Sequence, residues 1–487
     1  MKKIISLLLI ISFTLVLVPA NGFSVGSEVV HNNESGIPDK GLYSIILKSL
    51  NRKSGVFTKE EAARIKKIDA NNVNKRNVDI KSLKGIGCLT GLKDIDLCSN
   101  EITDLSGIES LKNLEILYLN GNKLTGNLKK LSGLKKLKSL SLEENKITSL
   151  LGIEKLTKLE ELNIFDNQVT KLGELKKLTK LTKLSLSYNK LKNLSGIEKL
   201  KNLKDLDAFN NKLTKLNEVK KLTKMDDLRV SKNKIKSLAP LKNLKNLTSI
   251  YVDDNKLTSL SPLNKLTKLT EISANNNKLT KVSDIGSLVN LGKLYLEGNR
   301  LTNLAGIETL TELWWVDFSD NRLTSISGIE NLTKLNYIDF AGNKLKELPD
   351  MTKLTKLSRP IDFNWDGEFC FNQIPKSEFK EKLPYVLADN SGWVTMQLKY
   401  QVPKVFKVNS LSKVKTTTKK ITGKTIKYAY VQMYDEDDNI IKEVKADKNG
   451  KFTFRGLNFK NSKGKKYSIE SIKFHSRLGI SDFKVKK

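Results

Sequence analysis

Histidine and cysteine are nearly missing from this chain. There are two histidines, His31 and His475, and three cysteines, Cys88, Cys98 and Cys370, in 487 residues. That scarcity argues against a zinc site built from thiols and imidazoles. An odd cysteine count leaves at least one thiol unpaired within the chain. Cys88 falls on a return stretch and Cys98 at the end of a strand, so no structural disulfide is expected. Acidic charge is also short, 53 residues against 86 basic ones, for a net charge of +33. Beyond the first twenty residues no apolar run is long enough to span a membrane. No nucleophile elbow and no phosphate-cradling glycine loop occurs. The one enzymatic reading, a pair of carboxylates acting on a glycan, lacks a pocket that could shift a pKa. No enzyme, cofactor or metal is expected.

What the chain has in abundance is leucine and asparagine at a fixed period. Asn100, Asn122, Asn145, Asn167, Asn189, Asn211, Asn233, Asn255, Asn277, Asn299, Asn321 and Asn343 are separated by ten intervals of 22 residues and one of 23. A period of this length fixes the architecture before any local propensity is considered. Each unit reads L-x-x-L-x-L-x-x-N-x-L, as in Leu291 to Leu301. The central L-x-L alternates as a short strand does, Leu294 and Leu296 facing one way and Tyr295 the other. The asparagine follows where the chain must turn. Its amide both donates and accepts, and stacked copies would form a ladder that pairs buried turn backbone. A looser apolar set brings the chain back through Gly, Ser and Pro (Pro240, Pro262), a stretch suited to extended or 3₁₀ turns. One unit cannot bury its own leucines, so the units must stack. A dozen stacked strands would span roughly 55 Å.

This unit is the leucine-rich-repeat consensus. The 22-residue period, the N-x-L/I-T-x-L/I turn and the S-P-L variants resemble the internalin family of Gram-positive surface and secreted proteins, over roughly residues 37 to 350. The resemblance implies an α/β leucine-rich-repeat solenoid, with a parallel β-sheet on its concave face and 3₁₀ or extended segments on the convex side. It also implies a helical N-terminal cap, a C-terminal bacterial Ig-like module, and a role in recognition or adhesion, with a possible part in virulence.

The rest of the chain falls into segments around that array. Residues 1–20 read as a secretory signal peptide: Lys2 and Lys3, then apolar Ile4 to Val18, then Val18-Pro19-Ala20. Residues 21–36 read as a flexible leader. Residues 37–67 read as the helical cap, with Leu42, Ile45, Ile46 and Leu50 on one face and Thr58 and Glu61 spaced as a capping box. Residues 68–348 are the repeats, 349–403 a proline-punctuated C-terminal cap and junction, and 404–487 a basic segment. In that segment alternating residues and turn signals at Asp437-Asp438-Asn439 and Lys448-Asn449-Gly450 fit about seven short strands of a sandwich, Ig-like by resemblance. No L-P-x-T-G sorting signal or apolar tail is recognisable, so a released protein, or one held to the wall by charge alone, is expected.

Function should sit on the concave face. The residues before, between and after the two strand leucines of twelve coils give 36 positions. Twelve are acidic, three basic (Lys183, Arg229, Lys293) and seven aromatic. In the whole chain, acids are about one residue in nine and aromatics one in fifteen. A lysine-rich chain has kept lysine off one face and put acids and rings there, the composition of a binding hot spot. The candidate partner-binding residues are Tyr118, Phe165, Asp205, Asp207, Phe209, Asp227, Tyr251, Asp253, Tyr295, Trp315, Asp317, Tyr337 and Asp339. Asp205, Asp207 and Asp227 form the densest acid patch, where a calcium ion is conceivable. Tyr295, Trp315 and Tyr337 are expected at the same place in successive coils, as an aromatic ladder. The expected partner is a host or neighbouring-cell surface protein. The alternative is an anionic cell-wall polymer bound by the cationic outer surface; nucleic acid is not expected.

Overall fold

The computed structural model describes residues 28–70, 79–357, positions 372, 374 and 382, and, of the C-terminal part, 407–408, 415, 417–424, 430–435, 440–459, 465–473 and 476–484. The signal-peptide reading, the first part of the leader, Cys370 and most of the junction therefore lie outside the described residues.

The periodic leucines build one parallel sheet of thirteen strands in chain order. Each repeat strand is three residues long and pairs with the next in direct 22- or 23-residue register: Leu206 lies opposite Leu228, and Ile272 opposite Leu294. A shift of one residue would turn every leucine outward, which is why the register holds. Short 3₁₀ turns stack on the opposite side, such as Ser261–Leu263 with Pro262 in its first turn. In the coil from Leu257, the residues Leu257, Leu260, Leu263, Leu266, Leu269, Ile272 and Ala274 are all buried. Each large side chain among them contributes about 1.5–3 kcal/mol. The resulting core runs unbroken from Val30 to Ile374.

The asparagines form the expected ladder. Asn277 Oδ1 accepts the Leu257 N–H at 2.9 Å. Its Nδ2 donates to the carbonyls of Val252 (2.9 Å), Ala274 (3.2 Å) and Asn275 (3.0 Å). Each rung thus ties its coil to the one before. A thirteenth rung was not anticipated: Asn372 accepts the Leu345 N–H at 2.9 Å and donates to the Phe340 carbonyl at 2.8 Å. The residue before each of the twelve repeat asparagines is left-handed, with φ between 47° and 68°.

The cap contains two helices, α1 (Lys40–Ser49) and α2 (Lys59–Arg64). Asp39 caps α1 through the Leu42 N–H, and Thr58 and Glu61 form the capping box of α2. The cap begins earlier than expected. Val29–Val30, placed in the leader by sequence, pairs antiparallel with Phe57–Thr58, and the Tyr43 hydroxyl donates to the Val30 carbonyl. The cap also supplies the first strand of the large sheet, Lys67–Asp69. Among the described residues from 407 on, seven strands form two antiparallel sheets around a separate core that includes Val431, Met433, Phe452, Phe454 and Ile469.

Candidate functional site

The concave sheet presents the residues flanking the strand leucines, but the twelve acids there are not equivalent. Those that close a strand serve their own backbone. Asp207 Oδ1 accepts the Phe209 N–H at 3.0 Å, Asp317 Oδ1 the Ser319 N–H at 3.0 Å, and Asp339 Oδ1 the Ala341 N–H at 2.8 Å. Such a bond two residues on is the local preference of Asp at a turn. Asp253 accepts the hydroxyls of Ser231 (2.9 Å) and Ser273 (2.5 Å) and the Asn275 N–H (2.8 Å). These side chains hold the strand-to-turn corner. Burial pushes the Asp317 carboxyl up, against the hydrogen bonds from Ser319.

The three basic residues of the face are each tied to an acid in the sheet. Lys183 pairs with Glu161 at 3.0 Å, Arg229 with Asp227 at 2.8 Å, and Lys293 with Glu271 at 3.4 Å. Arg229 also lies over the Tyr251 ring at 5.5 Å, and Lys293 over Trp314 at 5.1 Å. Burial, with Glu271 beside each, pushes the Tyr251 and Tyr295 hydroxyls up to about 12, so both remain neutral donors.

Asp227 is the exception among the acids. Its Oδ2 accepts from Arg229, but its Oδ1 is buried without a hydrogen-bond partner. Burial raises its pKa from 3.8 to about 6; Asp205, Asp207 and Asp226 add to the rise, and Arg229 opposes it. The folded chain therefore holds this proton more tightly than the unfolded chain. The stabilisation is complete below pH 3.8 and is lost as pH rises through about 6. Asp227→Asn keeps an acceptor for Arg229 and removes the buried charge. It should be more stable than the parent at pH 7, on the order of 1–3 kcal/mol, with the difference vanishing at pH 4 in urea titrations. Equal stability at pH 7 would contradict this assignment. Among the described residues no group of three His, Cys, Asp or Glu side chains could hold a metal ion, so the calcium reading at Asp205, Asp207 and Asp227 gains nothing from the geometry. Cys88 and Cys98 are free, half-buried thiols; burial and Asp96 push Cys98 up to about 12.

The aromatic ladder needs correction. Trp315 lies opposite Tyr337 and their rings stack, centroids 3.9 Å apart and 13° from parallel. Tyr295, however, lies opposite Asp317; the residue opposite Trp315 is Lys293. Tyr295 closes its three-residue strand, whereas Trp315 and Tyr337 open theirs. Tyr295 therefore touches Trp315 diagonally, at 6.4 Å, and Trp314 meets Trp315 edge-on at 6.1 Å. A second cluster was missed. Tyr188, 40% exposed, lies between Phe165 (5.0 Å) and Phe209 (5.2 Å). It escaped because it stands just before a ladder asparagine, one residue beyond the three-position frame. That position is Gly, Asn or Asp in eight of the twelve coils, and a tyrosine there was the available signal. A shallow recess lined by Asp435, Lys442, Phe459 and Tyr467 belongs to the C-terminal sandwich rather than to this sheet.

A family model described as leucine rich repeats (2 copies) matches residues 90–136, 135–177, 179–221 and 223–265. The stacked coils therefore belong to the leucine-rich-repeat class. An internalin of Listeria monocytogenes (InlF) is 29% identical, with a TM-score of 0.54 over 62% of this chain and 96% of that one. A leucine-rich-repeat protein of Leptospira interrogans is 28% identical, TM-score 0.53, over 62% and 84%. The ectodomain of an Arabidopsis thaliana receptor kinase, GASSHO1/SCHENGEN3, in complex with Casparian strip integrity factor 2, is 25% identical, TM-score 0.55, over 66% and 41%. No curated protein matches significantly. The chain is an internalin-like leucine-rich-repeat protein.

Proposed function

We propose that this is an exported recognition protein that holds a polypeptide partner against its concave sheet. One observation carries the reading. In a chain of net charge +33, the face has twelve acids, seven rings and three bases, and each of those bases is already paired within the sheet. Solvation alone gives no reason to spare one face from lysine. Charge of this kind steers a basic partner and sets its register, while the half-buried rings supply the contact energy. The signal-peptide-like start and the resemblance to internalins support export and a surface partner of a host or neighbouring cell. Among the described residues no helix is long and apolar enough to cross a membrane. The seven-stranded C-terminal part is read as an Ig-like module that extends the recognition array.

The test is a binding comparison against candidate host and bacterial surface proteins. Trp315→Ala with Tyr337→Ala should weaken partner binding by about 100-fold or more and leave any cell-wall association intact. Unchanged partner affinity would overturn the site.

A second reading, attachment to anionic wall polymers, has its own observation. From Lys190 to Lys344 the residue after every ladder asparagine is Lys or Arg, a basic ridge along eight consecutive coils. Wall association through that ridge would fall steeply with salt and survive the concave substitutions.

A further inference from the structure

Tyr188 is held where a tyrosine is costly. Its φ is 53°, a left-handed conformation that L-residues other than Gly, Asn and Asp rarely adopt and that bulky side chains adopt at a penalty. The equivalent positions in the coils on either side carry Asp166 and Asn210, and Gly or Asn would serve the turn as well. Nothing in the ladder requires the ring: the Asn189 amide bonds backbone groups here as its counterparts do elsewhere. What the ring does is close the gap between Phe165 and Phe209, making a continuous three-ring platform. Lys232 lies over its end at 5.3 Å from the Phe209 centroid.

The platform sits at the trailing ends of the strands; the Trp315–Tyr337 stack sits at their leading ends. Phe209 and Trp315 are five coils apart, roughly 24 Å across strands, and four residues apart along the strand direction, roughly 13 Å, so the diagonal is on the order of 27 Å. Between them lie Asp205, Asp207, Asp227, Asp253, Glu271 and Glu297, against Arg229 and Lys293, both paired, and Lys232 over the Phe209 ring. The orphan Oδ1 of Asp227 is in this stretch.

Building on the recognition reading, we infer that the concave face binds an extended cationic polypeptide segment at two aromatic anchor points, Phe165–Tyr188–Phe209 and Trp315–Tyr337, with the acids between them taking its basic side chains. The span matches about eight residues of extended chain. The two platforms act as linked sites, so a segment that reaches both gains by effective concentration, and one that reaches a single platform does not.

The test uses the full chain and synthetic peptides of alternating Lys and Ser, with tryptophan at both ends or at one end only. Spacers of about three, seven and eleven residues bracket the span, and affinity is read by calorimetry at low salt. The seven-residue spacer should bind at least ~10-fold tighter than the three-residue spacer or the single-Trp peptide, and a Glu-for-Lys series should bind far more weakly. Tyr188→Asn with Phe209→Ala should reduce the seven-residue peptide to the single-anchor level, as should Trp315→Ala with Tyr337→Ala. Tyr188→Asn alone installs a residue the turn prefers. Its unfolding midpoint should stay at or rise above the parental value while affinity drops, a combination that a merely structural role would not produce. If affinity ignores spacer length yet falls with Trp315→Ala and Tyr337→Ala, the two-anchor inference is wrong and the concave-face reading stands. If neither pair of substitutions alters binding, both are wrong.

Discussion

Asn211→Ala should destabilise the solenoid by about 3–5 kcal/mol, the cost of leaving several buried polar groups unpaired at once. Asn211 Oδ1 accepts the Leu191 N–H at 3.0 Å. Its Nδ2 donates to the carbonyls of Leu186 (3.0 Å), Ala208 (3.3 Å) and Phe209 (3.2 Å). Alanine supplies neither donor nor acceptor, and the site is too enclosed for water to replace both; the asparagine itself is 8% exposed. In a stacked array each coil contacts only its neighbours, so the damage should spread along the coil interface rather than throughout. Hydrogen exchange should show the Leu191 amide losing protection first, and urea unfolding should begin at lower concentration. Asn193→Ala is the control. Asn193 caps only the exposed Ser195 N–H, and its loss should cost no more than about 1 kcal/mol. Equal effects from the two would mean that the ladder contributes shape but not stability.

The ladder was legible in the sequence because it is periodic, and the same period fixed the register of Leu206 against Leu228. Aperiodic features were harder. Asn372 closes the ladder 29 residues after Asn343 instead of 22, so the repeat spacing could not point to it. Val29–Val30 joins the cap through two backbone pairs, too short a strand to leave a hydrophobic pattern. On the concave face, the list of exposed positions followed from alternation alone. Alternation cannot say that Asp317 and Asp339 are engaged by their own turns while Asp227 is left with an unpaired oxygen. Nor does it distinguish the first position of a strand from its last, which is where Tyr295 and Trp315 part company. Tyr188 was invisible for a different reason: its exposure comes from a left-handed turn, and the alternation of a strand stops short of it.

Gly196→Ala should rival the loss of a ladder asparagine, for a steric rather than a polar reason. Gly196 has φ 120°, where an L-residue is strained by about 1–3 kcal/mol. A Cβ there would lie 2.1 Å from the Leu172 carbonyl oxygen and 2.6 Å from its carbon. Both atoms are backbone of the preceding coil, so no side chain can swing aside, and the coils must separate. Overpacking of that kind adds about 1–3 kcal/mol, for a total on the order of 3–4 kcal/mol, read as a lower urea midpoint. Gly173 gives the opposite expectation. It opens the 3₁₀ turn Gly173–Lys177, and a Cβ there would meet nothing within 4 Å. Gly173→Ala should therefore be neutral or stabilise by about 0.4–1 kcal/mol through the unfolded chain. The contrast reaches the binding face, because the two coils forced apart by Gly196→Ala carry Tyr188 and Phe209. Their ring contact spans that junction at 5.2 Å. Gly196→Ala should thus weaken peptide binding at the three-ring platform while leaving the Trp315–Tyr337 stack, five coils further on, at parental affinity. Loss at both platforms alike would show that the coils respond as one rigid unit, contrary to neighbour-only coupling.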